Sequence, residues 1–270
     1  MLCLSSTAEA AAAMRGARAI ALTAYTLRRG GLFDALEAAA SGGAHVSVRL
    51  EGAPYRDTDG SFARVNAGIV ADLRRAGVDA SASVPGDAPI HAKMLDVDGI
   101  RYLDDRNFGA GDLVVRDDDP ADPALATLKR DALASEGKLL RAARPSEDTI
   151  VESESFSCCN AVYSALDDAA KRGLHPRVLV CARELRGNDR ERDRLAHLAA
   201  DGAQVRVTKE TDKIALAGNR LWIGSANATA AIELPDTIDW GLCSDDATIV
   251  AAARARIEAT WTHAIALKKP

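Results

Sequence analysis

Histidine, lysine, aspartate and asparagine recur along this chain in an order that suits work on an oxyanion. His91-x-Lys93 is followed by Asp98, five residues past the lysine, and then by Asn107. Further on, Lys213 is followed by Gly224-Ser225-Ala226-Asn227. In an extended segment alternate residues share a face, so His91 and Lys93 point the same way, as do Thr211 and Lys213. Two lysines supply positive charge and two asparagines supply neutral amide donors, a set that can hold an oxyanion before any bond breaks. An imidazole beside them can attack as a nucleophile. No Cys, His and Asp cluster has metal-ligand spacing, so neither a metal nor a cofactor is expected.

These segments need a framework, and the chain repeats itself to build one. Phe33-Asp34-Ala35-Leu36 through His45 aligns with Tyr163-Ser164-Ala165-Leu166 through His175 at a constant offset of 130 residues. Each copy has apolar residues at helical spacing, a glycine that stops the helix, and a Val-rich strand, His45 to Leu50 and Arg177 to Cys181. A second helix and glycine follow in each half, ending at Gly77 and Gly202, and the offset there is 125. At the motif segments, Asn107 against Asn227, it is 120, so the second half has the shorter loops. Another strand comes next, Asp112 to Asp118 or Asp239 to Asp246, and a closing helix is expected from Pro123 to Ala134 and from Ala247 to Ala264. Strands alternating with helices predict an α/β protein with a substantially parallel sheet. The polar stretch Arg141 to Thr149, with Pro145, reads as the linker between halves at 1–140 and 150–270. Two copies of so long a unit indicate gene duplication; a solenoid needs three or more short units.

The paired segments resemble the HxK–D–GSxN motif of the phospholipase D superfamily, and the order of the preceding helices and strands extends the likeness over nearly the whole chain. The resemblance implies a duplicated α/β sandwich of two pseudo-symmetric halves, with a phosphate site at the seam and the motifs converging about a pseudo-twofold axis. It implies that His91 is the nucleophile and forms a covalent phosphohistidine. Lys93, Lys213, Asn107 and Asn227 would hold the phosphate, with Ser225 as an extra donor, and Asp98 would order its turn. The chain departs from the pattern at Thr211, where the second histidine would stand, at Gly218, where the second aspartate would stand, and at Asp104 and Asp105, which replace Gly and Ser of the first motif. The second histidine is the family's general acid, a role worth about 10²–10⁴ in rate that threonine cannot fill near neutral pH. Glu154, at the end of the first strand of the second half, and Asp104 and Asp105 are the candidates for a substitute acid; the two aspartates also suit a turn or a helix cap. Arg106 is expected to be a salt-bridged surface residue.

Composition narrows the rest. The chain has 270 residues, 47% hydrophobic and 27% charged, which excludes a disordered or fibrous protein. The net charge of −5 and only 4% aromatic residues argue against a basic groove with stacking rings, so nucleic acid is a less favoured substrate. Five cysteines, two of them adjacent, read as free thiols in a reducing, cytoplasmic setting. No segment has the length of a membrane span, and none is expected to insert stably. The expected function is therefore that of a phospholipase D-like hydrolase, a phosphodiesterase acting by hydrolysis or transfer on a lipid head group or a nucleotide; lipid degradation is one role it would fit. Three alternatives stand beside it: a nuclease of the same superfamily, a catalytically weak phosphate-binding module because of Thr211, and a homodimer pairing two His91 sites. Internal duplication favours the monomer over that homodimer.

Overall fold

The structure is a computed structural model that describes residues 2–55, 57–119, 125–209, 211–231 and 235–267. The chain divides into two compact units: Met1–Pro123 with Glu233–Trp240, and Ala124–Ile232 with Gly241–Pro270. Unit 1 holds β1 (Leu2–Ser5), α1 (Thr7–Ala13), β2 (Ala19–Ala24), α2 (Gly31–Ser41), β3 (His45–Leu50), α3 (Ser61–Arg75), β4 (Asp79–Ala82), β5 (Lys93–Val97), β6 (Ile100–Asp104) and β7 (Val114–Asp117). Its seven strands lie in the order β1-β7-β6-β5-β2-β3-β4. Unit 2 holds β8 (Leu125–Leu128), α4 (Lys129–Arg141), β9 (Thr149–Ser153), α5 (Ala161–Lys171), β10 (Arg177–Cys181), α6 (Asp189–Ala200), β11 (Gln204–Thr208), β12 (Ile214–Ala217), β13 (Arg220–Gly224), the later part of β14 (Ile238–Ser244), α7 (Ala247–His263) and β15 (Ile265–Ala266). The second sheet runs β15-β11-β10-β9-β12-β13-β14-β8.

The halves are pseudo-symmetric. β2, β3 and β4 match β9, β10 and β11 as the parallel part of each sheet. β5, β6 and β7 match β12, β13 and β14 as the antiparallel part. The sheets are thus mixed where a substantially parallel one was expected, because each motif segment forms a hairpin and a hairpin reverses direction.

The expected boundary also moves. β8 lies beside β14 as β1 lies beside β7, and α4 follows β8 as α1 follows β1. The helix expected to close the first half is therefore the one that opens the second; its first expected residues lie outside those described. Its apolar residues Ala132, Leu133, Leu139 and Leu140 join the core of unit 2. Gly137 lies so close to α5 that an added Cβ would stand 2.7 Å from the backbone of Ala161. Residues 141–149 connect α4 to β9 inside the second half. α7 matches the expected C-terminal helix and has no counterpart after β7 among the described residues.

Local chemistry explains the elements. Ser6 caps α1, accepting the Glu9 N–H at 3.2 Å, while Glu9 accepts the Ser6 hydroxyl at 3.1 Å, a reciprocal box readable from Ser-x-x-Glu. Asn160 caps α5 by accepting from the Val162 and Tyr163 amides. The β5–β6 turn is Asp98-Gly99, with φ of 48° and 87°, the left-handed pair that matches the twist of a two-residue hairpin. Each unit has its own apolar core. No helix among the described residues is long and apolar enough to cross a membrane.

Candidate active site

Within unit 1, His91 stands just before β5. The His91 and Ala92 amides both donate to the Ile238 carbonyl, at 2.8 and 2.7 Å, which fixes the backbone of the motif. His91 Nδ1 lies 2.8 Å from Oδ1 of Asp239, a fully buried carboxylate. A carboxylate only accepts, so Nδ1 carries the proton of the neutral ring and Nε2 carries the lone pair. The His91 side chain is 26% exposed. Its ring meets Tyr25 edge-on at 5.5 Å. Lys93, 1% exposed, places its ammonium 5.6 Å from the Tyr25 ring centroid and donates to the His91 carbonyl. Behind them, Asn66 donates to the Tyr25 and Glu51 carbonyls, both at 2.8 Å, and Glu51 accepts the Ile90 amide at 2.5 Å.

The Asp98 carboxylate accepts the Arg18 amide at 3.1 Å and the Ala19 amide at 2.8 Å, tying the turn to the start of β2. Those bonds lower its pKa, the Ala19 amide most. Asp104 is fully buried and accepts the Phe108 and Arg106 amides. Burial first, then the nearby Asp112 charge, pushes its pKa up to about 6 against the pull of those amides and of Lys93. Asp105 accepts the Leu113 amide at 3.1 Å. Both aspartates therefore fold the β6–β7 connection. Arg106 is ion-paired to Asp112 at 2.9 Å, as the sequence suggested. Asn107 has its amide N–H held by Asp112 at 3.1 Å.

Within unit 2, Lys213 is 2% exposed and stands just before β12. Glu154 Oε2 lies 3.7 Å from its ammonium, and the other Glu154 oxygen takes Arg183. Strand register makes Glu154 the counterpart of Tyr25: one half sets an aromatic face beside its motif lysine, the other a carboxylate. Thr211 is 5% exposed, and its neighbour Asp212 pairs with Arg256 and gives its amide to Glu152 at 3.0 Å. Ser225 is fully buried. Asn227 precedes Ala228, whose amide donates to Ser153 Oγ at 3.0 Å. The side-chain oxygens of Asn107 and Asn227 are both buried without a hydrogen-bond partner among the described residues. Gly218, at φ 59°, cannot be aspartate without disturbance, because a Cβ there would stand 2.7 Å from Glu147, which binds Arg144 and Arg220.

Asp239 was not singled out from the sequence. Register supplies the missing signal: Asp104 pairs with Val114 and Gly224 with Gly241, so Asp112, two residues before β7, and Asp239, in β14, are equivalent. Asp239 partners His91, whereas Asp112 serves Arg106 and the Asn107 and Gly109 amides. Away from these residues, Asp167, His197 and Asp201 present ligand atoms within 4.8 Å of one another, a grouping that their sequence separation hid. The Lys171 ammonium already stands there, 2.7 Å from Asp167.

No protein-family model matches the chain, and no curated protein does. Solved structures do. Phosphatidylserine synthase from Haemophilus influenzae superposes with a TM-score of 0.68 at 10% identity, over 98% of this chain and 87% of that one. Polyphosphate kinase from Porphyromonas gingivalis gives 0.64 at 17% identity over 97% of this chain, which spans 50% of that kinase's length. A phospholipase D family member, Nuc, from Salmonella typhimurium aligns with 50% of this chain at 18% identity and a TM-score of 0.43. The fold is the duplicated phospholipase D-like fold.

Proposed function

We propose that this chain is a phosphodiesterase of the phospholipase D-like kind, with His91 as nucleophile. The observation that carries the reading is the pairing of His91 with the buried carboxylate of Asp239. It holds the imidazole in one orientation and one tautomer, with the attacking nitrogen defined. Nε2 attacks phosphorus, the bond to the leaving oxygen breaks, and a phosphohistidine forms. The ring becomes cationic as it does so, and the Asp239 carboxylate balances that charge. Water or an alcohol then attacks phosphorus and returns the electron pair to Nε2, giving hydrolysis or transfer. The reading takes from the family resemblance that both motifs serve one phosphate. On that reading Lys93 and Lys213 hold its oxygens with their ammonium groups, Asn107 and Asn227 with their side-chain N–H groups, and Ser225 with its hydroxyl. A phosphodiester is the substrate class, a lipid head group or a nucleotide; two structural neighbours that match nearly all of this chain are a phosphatidylserine synthase and a polyphosphate kinase, both names of phosphate chemistry.

Thr211 makes the second chemical role the weak one. With bis(p-nitrophenyl) phosphate, whose nitrophenolate leaves unprotonated, a burst of nitrophenol followed by a slow steady rate is expected, and His91→Ala removes the burst. Rapid turnover of that ester by His91→Ala would overturn the assignment. A second reading, phosphate binding without turnover, draws support from Thr211 and from the Glu154 carboxylate paired with Lys213. Tungstate binding with neither burst nor covalent adduct would select it.

A further inference from the structure

The loop from β9 to the Asn160 cap of α5 carries the chain's adjacent cysteines, Cys158 and Cys159. Their sulfurs lie 3.4 Å apart, with Cys159 donating its S–H to Cys158. Adjacent side chains on a strand point to opposite faces, so two neighbouring sulfurs meet only where the backbone turns. Here Cys159 adopts φ 67°, a left-handed conformation that is uncommon and strained for a non-glycine residue. Cys159 is exposed and Cys158 half-buried, while Cys181 is buried on β10. The hydrogen bond to Cys158, and then its charge, raise the Cys159 thiol above its ordinary pKa.

This loop is tied to the segment that follows Asn227. The Ser157 amide donates to the Ala228 carbonyl at 2.9 Å, the Ala230 amide to Ser157 Oγ at 2.7 Å, and Asn160 Nδ2 to the Ala228 carbonyl at 3.0 Å. A shift at 157–160 must therefore be felt at 228–230.

We propose that Cys158 and Cys159 are a reversible thiol switch, oxidised by peroxide to a vicinal disulfide that displaces the loop and, through Ser157 and Asn160, the backbone after Asn227. The Cys158 thiolate attacks one peroxide oxygen, the O–O bond breaks, and a sulfenic acid forms with release of water. The Cys159 sulfur then attacks the sulfenic sulfur, the S–O bond breaks, and a second water leaves. Two thiols and one peroxide become one disulfide and two waters; sulfur is oxidised and peroxide reduced. The peptide bond holds adjacent Cα atoms about 3.8 Å apart, short of the roughly 4.4–6.8 Å usual across a disulfide, so the ring closes only by twisting the Cys158–Cys159 peptide and the torsions beside it. That movement is the signal. It also leaves the bond strained, and strained disulfides are the ones readily reduced again.

The switch does not rest on the phosphoryl-transfer reading, because its readouts are sulfur chemistry and amide exchange. The reduced full chain is treated with equimolar hydrogen peroxide, alkylated and mapped by peptide mass. The peptide holding both cysteines should lose two hydrogens and regain them with dithiothreitol. Cys159→Ser should instead trap a sulfenic acid on Cys158 as a dimedone adduct. Oxidation should speed hydrogen exchange at the Ser157 and Ala230 amides, which donate across this junction, about fivefold, the scale of one weakened hydrogen bond, and Cys158→Ser should abolish that change. First oxidation at another cysteine, a disulfide joining two copies, or unaltered exchange at those amides in the disulfide form would overturn the proposal.

Discussion

Replacing Glu154 with glutamine removes a negative charge from beside Lys213 while keeping the side chain's shape. The carboxylate lies 3.7 Å from an ammonium that is only 2% exposed, and is itself 27% exposed. At an effective dielectric near 20 the gross attraction is about 4.5 kcal/mol. That is an upper bound for what an incoming oxyanion must overcome. Glu154 keeps its second partner, Arg183, when it yields Lys213, and it regains hydration through its exposed part. Discounted for both, the competition amounts to about 1–2 kcal/mol, or about 5–30-fold in affinity. Titration calorimetry with tungstate should therefore show Glu154→Gln binding about 5–30-fold more tightly than the unmodified chain, and Lys213→Met losing that binding. In anion-free buffer Glu154→Gln should melt lower, because Lys213 is left buried without its carboxylate, and tungstate should restore the melting temperature. Unchanged or weaker binding by a variant with native circular dichroism would refute the view that Glu154 stands in for an oxyanion at Lys213.

Three further outcomes follow from the geometry. Asp239→Asn should lower kcat by about 10²–10⁴ with little change in KM, because an amide that donates to Nδ1 moves the ring proton to Nε2 and blocks the attacking nitrogen; steady-state kinetics at several pH values separate this from a folding defect. Asp104, with its pKa raised from 3.8 to about 6, keeps more protons when folded than when unfolded. Its contribution to stability is complete below about pH 4 and is lost as pH rises through 6, at most about 3 kcal/mol; melting temperatures should thus fall for the unmodified chain relative to Asp104→Asn across that window. Buried Glu136, raised well above its ordinary pKa by desolvation, shifts the balance in the same direction. Phosphodiesterase activity should survive EDTA, measured with bis(p-nitrophenyl) phosphate; loss restored by a divalent ion would contradict a mechanism run by His91, Lys93 and Lys213.

Much of this architecture was readable because duplication writes each signal twice. The shared offset of α2 and α5, the Val-rich β3 and β10, and the paired motif segments all formed as expected. The place of α4 was not readable. An amphipathic helix between two repeats looks the same whether it closes one or opens the next, and tertiary packing, with Gly137 on Ala161 and the α4 leucines in the core of unit 2, decides it. Asp98 was legible because a turn aspartate followed by glycine is a local signal. Asp239 was not, because it is 148 residues from His91 and the contact depends on strand register. Glu154 was placed near the second motif by topology alone, and its partner Lys213 is one strand away across β9 and β12. The role of Asp104 as a buried, protonatable turn residue depends on desolvation, which no linear pattern carries.

The most direct test of the central claim is covalent. The protein is mixed with bis(p-nitrophenyl) phosphate, quenched within milliseconds to seconds at mildly alkaline pH, where phosphohistidine persists, and mapped by mass spectrometry. A single phosphoryl adduct on the peptide containing His91, absent from His91→Ala and longer-lived than the burst, is the predicted result. Nitrophenol released in a burst with the adduct on any other residue, or steady turnover with no adduct at any time, would contradict it.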